Sequence, residues 1–284
     1  MTETSDNFKK VLNGRQVVAL AFGAMVGWSW VLISGMWVGT AGSMGTLLAF
    51  LIGGVAISLV GMTYSELASA MPQAGGEHVY THRALGPSWS FACTWALLFS
   101  YINVSLFEAV ALPTAVEYLW PGIRLGTLWH ALGADVDLGF VILGAGGALL
   151  VTLINIRGIR FAAMAQVVVT AIVLFSGIGL ILGAGLFGQW ENAQPLIAEP
   201  ASGILVVLIM VPAMLVGFDV IPQSAEEIDL PPKRIGTLLV VSVFCAVLWY
   251  VLVAFSVALA MNSEELGSAP MATADAATKL WGHP

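Results

Sequence analysis

Apolar residues in this chain come in runs too long for a soluble core, at about 17–40, 46–70, 89–113, 138–156, 162–187, 203–228 and 235–261. At ~1.5 Å of rise per residue, each run is long enough to cross a hydrocarbon layer of ~30 Å. The pattern predicts seven membrane-spanning helices joined by polar loops, the longer ones at 71–88, 120–137 and 189–201. A polar, Ala-rich tail after residue 262 is expected to carry a short helix.

Two of the runs are interrupted. The first reads Gly23-Ala24-Met25-Val26-Gly27-Trp28-Ser29-Trp30 and continues to Gly35 and Gly39. The second reads Pro212-Ala213-Met214-Leu215-Val216-Gly217-Phe218-Asp219-Val220-Ile221-Pro222. In lipid every backbone N–H and C=O needs a partner, so such a break is tolerated only where it is buried or lines a cavity. Broken helices in corresponding positions of two halves point to the binding site of a transporter. Gly27, Trp28, Ser29 and Trp30 at the first break, and Gly217, Phe218 and Asp219 at the second, are therefore the candidate substrate-binding residues.

The two breaks offer different chemistry. At the first, an unwound turn frees N–H groups and the positive end of the next half-helix attracts an anion, which suits a carboxylate at Trp28, Ser29 and Trp30. The alternative is that these glycines only permit close packing. The indoles of Trp28 and Trp30 narrow the cavity and leave Ser29 as the polar side chain, which favours a small or apolar substrate over a long cationic one. Asp219 lies deepest within a span, where a carboxylate is costly and normally paired, hydrated or protonated. It could recognise an amine, carry a proton, or cap the helix that resumes after the break. Phe218 is placed to cover the site.

Composition agrees with a membrane protein: 58% hydrophobic and 10% charged residues, with mean hydropathy +0.91. The net charge of −7 says less than its distribution. Lys9, Lys10, Arg15, Arg83, Arg157, Arg160, Lys233 and Arg234 all fall on one side of the expected spans, leaving Arg124 and Lys279 on the other. Basic residues in short loops stay cytoplasmic, so the N-terminus is expected inside a plasma membrane and the other end outside. The first 13 residues lack the apolar core of a cleavable signal. Cys93 and Cys245 sit within spans and read as packing residues rather than a disulfide.

The stretch Tyr64-Ser65-Glu66-Leu67-Ala68-Ser69-Ala70-Met71-Pro72-Gln73-Ala74-Gly75-Gly76-Glu77-His78-Val79-Tyr80, followed by Arg83-Ala84-Leu85-Gly86-Pro87, resembles a signature of the amino acid–polyamine–organocation (APC) permease superfamily. Gly217-Phe218-Asp219 with Ala225-Glu226-Glu227 and Pro232-Lys233-Arg234 resembles that family's sixth helix and its exit. The resemblance covers nearly the whole chain and implies an all-α integral membrane protein of the leucine-transporter type. In that fold two inverted repeats of five helices surround a midplane site, with helices 1 and 6 broken. It divides this single membrane domain into a first repeat, 1–187, and the start of a second, 202–284. The family needs at least helices 8 to 10 beyond these, so the chain is expected to be an N-terminal fragment whose partners include the missing C-terminal helices. The third span lines the cavity in this fold, which adds Tyr101 and Asn103 as substrate-binding candidates and Glu108 as a coupling candidate. Glu66, set to pair with Arg83, is a further coupling candidate. Where the family has small residues at the first break, this chain has Trp28 and Trp30.

The expected function is secondary active transport of amino acids or related amines by alternating access, coupled to H+ in preference to Na+. A seven-span receptor or sensor is the rival, but the basic loops place the N-terminus inside and no Lys in the seventh span could bind retinal. An inactive scaffolding membrane protein is a further alternative. No enzyme site, phosphate-binding loop or metal centre is expected; His78 and His82 have no third ligand nearby. Cofactors and nucleic acid are not expected, whereas a small-molecule substrate and membrane lipid are.

Overall fold

The computed structural model describes residues 10–131 and 133–282. Its helices, in order, are α1 (Gly14–Met25), α2 (Ser29–Ala41), α3 (Ser43–Ala70), α4 (Glu77–Leu85), α5 (Pro87–Leu119), α6 (Leu138–Ile156), α7 (Ile159–Phe187), α8 (Ser202–Met214), α9 (Val220–Gln223), α10 (Pro232–Ala260), α11 (Ser263–Ser268) and α12 (Ala272–Trp281). Strands β1 (Thr127–Ala131) and β2 (Ala134–Asp137) form an antiparallel hairpin between α5 and α6.

Local sequence explains the helix starts. Asn13 accepts a hydrogen bond from the Gln16 N–H at 3.1 Å, and the Gln16 side chain accepts from the Asn13 N–H at 3.0 Å, which closes a capping box on α1. Asp137 caps α6 by accepting from the Gly139 N–H at 2.8 Å. Pro87 and Pro232 occupy first-turn positions of α5 and α10, where a missing N–H costs nothing.

Five helices, α3, α5, α6, α7 and α10, are long and apolar enough to cross a membrane, and α1 with α2, bent by 54°, makes a sixth if counted as one span. The sixth expected run, 203–228, is not one helix. Pro212 lies inside α8, which ends after 13 residues at Met214. At ~1.5 Å per residue that is roughly 20 Å, short of a bilayer. Residues 215–219 form turns, and the single turn of α9 follows.

Helix α10 occupies the middle of the packing and lies against α3, α1, α2 and α7. Its side chains Leu239, Val243, Ala246, Tyr250, Val253 and Val257 are buried. Helices α5 and α6 instead present apolar side chains outward, among them Phe91, Trp95, Phe99 and Leu149. Glycines permit the close approaches: a Cβ at Gly53 or Gly54 of α3 would meet Val211 or Val247 at 2.6–2.8 Å. The tail holds two helices where one was expected. It closes over α2, with the Thr273 hydroxyl donating to the Trp30 carbonyl at 3.0 Å and lying 2.6 Å from the Ser34 hydroxyl.

Candidate functional site

Where α1 stops at Met25 and α8 stops at Met214, the two chain breaks touch. Gly217 adopts φ +118°, a left-handed conformation that glycine enters without strain. A Cβ there would lie 2.8 Å from the Ala24 carbonyl carbon and from Ala24 Cβ. Glycine is thus required at this position twice, for its backbone angle and for the contact with the first break. Tyr250 of α10 joins the same two ends. Its hydroxyl lies 2.8 Å from the Met25 carbonyl and 3.2 Å from the Met214 carbonyl, so each half-helix terminus has a donor within reach. The Tyr250 ring is stacked on Phe50 with centroids 5.2 Å apart, and Trp37 packs edge-on against both.

At the first break the N–H of Trp28 donates to Glu108 Oε1 of α5 at 3.2 Å. A Cβ added at Gly27 would run into that same oxygen. The break that suits an anion thus already faces a carboxylate supplied by the chain itself. Trp28 is 39% exposed, while Trp30 is buried, its ring edge-on to Trp249 with centroids 5.8 Å apart. The Ser29 side chain lies outside the described residues. A cavity of about 30 Å³ opens beside this break, lined in part by Gly23, Gly27, Trp28 and Thr170. It has room for about a water molecule.

The second break carries a denser polar cluster. Asp219 Oδ1 accepts from the Gly217 N–H at 3.1 Å, and Oδ2 accepts from the Tyr101 hydroxyl and from Gln223 Nε2, the latter at 3.0 Å. Asp219 stands at the start of α9 but makes no capping bond to it. Gln223 Nε2 also lies 2.9 Å from the Tyr101 hydroxyl and 3.3 Å from Glu77 Oε2. The Tyr64 hydroxyl bonds Glu77 as well, and the Tyr64 ring meets Phe218 edge-on with centroids 5.3 Å apart. Phe218 is buried.

The Gly-Gly pair of the Pro72–Tyr80 motif explains how Glu77 arrives there. Gly75 and Gly76 have φ +103° and +44°, and the Gly75 N–H donates to the Gln223 carbonyl at 3.2 Å. Burial raises the Glu77 carboxyl above the usual glutamate range, and the Asp219 charge adds to this against the lowering effect of the hydrogen bonds it accepts. Tyr80 is pushed up to about 12 by burial and then by the Glu77 charge.

The candidates therefore separate. Gly27, Trp28, Trp30 and Glu108 meet at the first break, and Tyr101, Gly217, Phe218 and Asp219 at the second. Asn103 is exposed and turns back to the Phe99 carbonyl of its own helix at 2.8 Å. Glu66 is exposed along a groove between α3 and α10, and no ion pair joins it to Arg83 among the described residues. Glu77, Gln223, Tyr64 and Tyr250 are the residues that sequence reasoning missed. Glu77 had a signal, as the acid that directly follows Gly75-Gly76.

Residues 16–276 match the family model described as Amino acid permease. The chain is 25% identical to the methylthioribose transporter of Bacillus subtilis (strain 168), over 86% of this chain and 54% of that protein. It is 26% identical to the amino-acid permease RocC of the same organism, over 83% of this chain and 50% of the relative. It is also 26% identical to the lysine-specific permease LysP of Escherichia coli (strain K12), over 82% and 47%. The chain spans about half the length of the curated relatives it matches.

Proposed function

Because this chain belongs to the amino acid permease family, a family of multi-pass membrane transporters rather than enzymes, we propose that it contributes the binding core of a secondary transporter for amino acids or related amines. The observation that carries this reading is the contact between the two breaks, with Gly217 against Ala24 and Tyr250 between the helix ends. Half-helix termini that meet inside a bundle place N–H and C=O groups where a zwitterion can use both. The substrate carboxylate is received at Trp28, in the place of Glu108, and its amine by the Asp219 side of the site. Residues 1–187 and 202–284 correspond to a first repeat and the start of a second, which move relative to each other in alternating access. The outward apolar side chains of α5 and α6 face lipid or further helices.

H+ is the favoured coupling ion. What supports this is a buried acid, Asp219, at the second break. Na+ coordinated by unwound carbonyls is the alternative. In the plasma membrane the N-terminus is cytoplasmic, so a Cys placed at Lys233 is labelled from that side and one at Glu191 from outside. The deciding measurement is uptake of a radiolabelled amino-acid panel by the protein in liposomes, with imposed proton or sodium gradients. Accumulation of at least one amino acid or amine under a proton gradient is expected. Uptake of none of the panel under either gradient would sink the reading.

A further inference from the structure

Glu77 and Asp219 are each 5% exposed, come from distant segments of the chain, and reach one nitrogen, Gln223 Nε2. That amide nitrogen carries two hydrogens, yet three acceptors lie within 3.3 Å of it: Glu77 Oε2, Asp219 Oδ2 and the Tyr101 hydroxyl. Tyr101 gives its own hydrogen to Asp219, and Glu77 Oε1 and the Tyr80 hydroxyl are buried with no partner. Tyr64 gives its hydrogen to Glu77, and even so Glu77 Oε1 is left without a donor. Two buried carboxylates also need a compensating positive charge. Among the described residues the ion pairs join Arg124 to Glu117, His130 to Asp135 and Lys279 to Glu265, far from this cluster in the chain.

We infer that Glu77 and Asp219 form a single acid pair that holds one proton between them, and that this proton locks the start of α4 onto the second break. The inference deepens the proton-coupled reading above and rests on it. With the proton in place the pair carries one negative charge and Gln223 spans both members, so the Gly75–Gln223 backbone bond can persist. Release of the proton leaves two negative charges on one amide, and their repulsion favours separation of α4 from α9. The titratable groups around the pair are Tyr64 on α3, Tyr80 on α4, and Tyr101 and Cys93 on α5. Past α9, Glu226 accepts from the Ala74 N–H at 3.1 Å, and Glu227 follows it. Arg15 on α1 and Arg234 on α10 are exposed and pair with neither acid.

The test is infrared difference spectroscopy of the carboxylic C=O band, with the protein in lipid and no transport substrate, scanned from acid to alkaline pH. The wild type should lose one buried carboxyl band. Asp219→Asn, which keeps the shape and removes the like charge, should lower the midpoint of the remaining Glu77 band by at least about one pH unit, tenfold in proton affinity. Gln223→Met removes the shared donor and should raise the midpoint. A midpoint unmoved in whichever of these variants folds overturns the pair. The readout needs no uptake. Transport with an unmoved midpoint therefore overturns the pair alone, and a shifted midpoint without transport overturns the functional reading alone.

Discussion

The first break and the second break solve the same backbone problem in different ways. At the first, one N–H is met by one distant carboxylate, Glu108, at 3.2 Å, and the surroundings are indoles. At the second, Asp219 is tied to Gly217, Tyr101 and Gln223, and through Gln223 to Glu77. A single contact is readily exchanged for a ligand, whereas a closed network resists exchange and responds instead to a change of charge. On the proposed function, the first break receives the substrate carboxylate and the second combines amine recognition with proton exchange.

Four experiments break or sharpen that division. The largest effect is expected from Asp219→Asn, which replaces the acid of the second break itself with a neutral amide and leaves Glu77 as the remaining carboxyl of the cluster. Accumulation driven by a pH gradient should fall more than tenfold while some substrate exchange survives. Unchanged pH dependence would move the coupling group elsewhere, with Glu108 the next to replace. Next come substrate analogues. If the Trp28 N–H receives a carboxylate, an amide or ester should bind roughly tenfold to a hundredfold more weakly in a competition assay, since a charged hydrogen bond contributes ~1.5–3 kcal/mol. Equal binding of acid and amide would leave Glu108 as the permanent partner of that N–H. Gly217→Ala should cost roughly 3 kcal/mol in denaturant or thermal unfolding, from a positive φ and from contact with Ala24. Smallest is Tyr250→Phe, which keeps the ring stack and removes the donor, at about 1–2 kcal/mol. A loss near zero there would mean that water already serves the Met25 and Met214 carbonyls.

Much of the architecture was legible because length and apolarity fix a membrane helix almost without reference to its neighbours. Runs such as 46–70, 138–156 and 235–261 became α3, α6 and α10 with ends shifted by a few residues. Gly217 and Pro212 likewise announce a break through covalent structure alone. The missed residues depend on placement. Tyr250 sits in an unremarkable apolar run, and only the crossing of α10 with both half-helix ends gives its hydroxyl a task. Glu77 needed the fold of the Gly75-Gly76 turn to point inward, whereas Glu66, eleven positions earlier, looked equally eligible and is exposed. Asn103 satisfied itself on its own helix, an option open to any Asn within a helix. The β1–β2 hairpin carried no apolar run to reveal it.

Tyr250 places an odd number of hydrogens at an even number of oxygens. One hydroxyl hydrogen faces the Met25 carbonyl at 2.8 Å and the Met214 carbonyl at 3.2 Å, and it can satisfy one of them at a time. A small slide of α1 past α8 does not then break a bond outright; it transfers the hydrogen from one terminus to the other. The two broken helix ends thus share one donor, closer to the Met25 side, with the aromatic stack of Phe50 and Trp37 behind it.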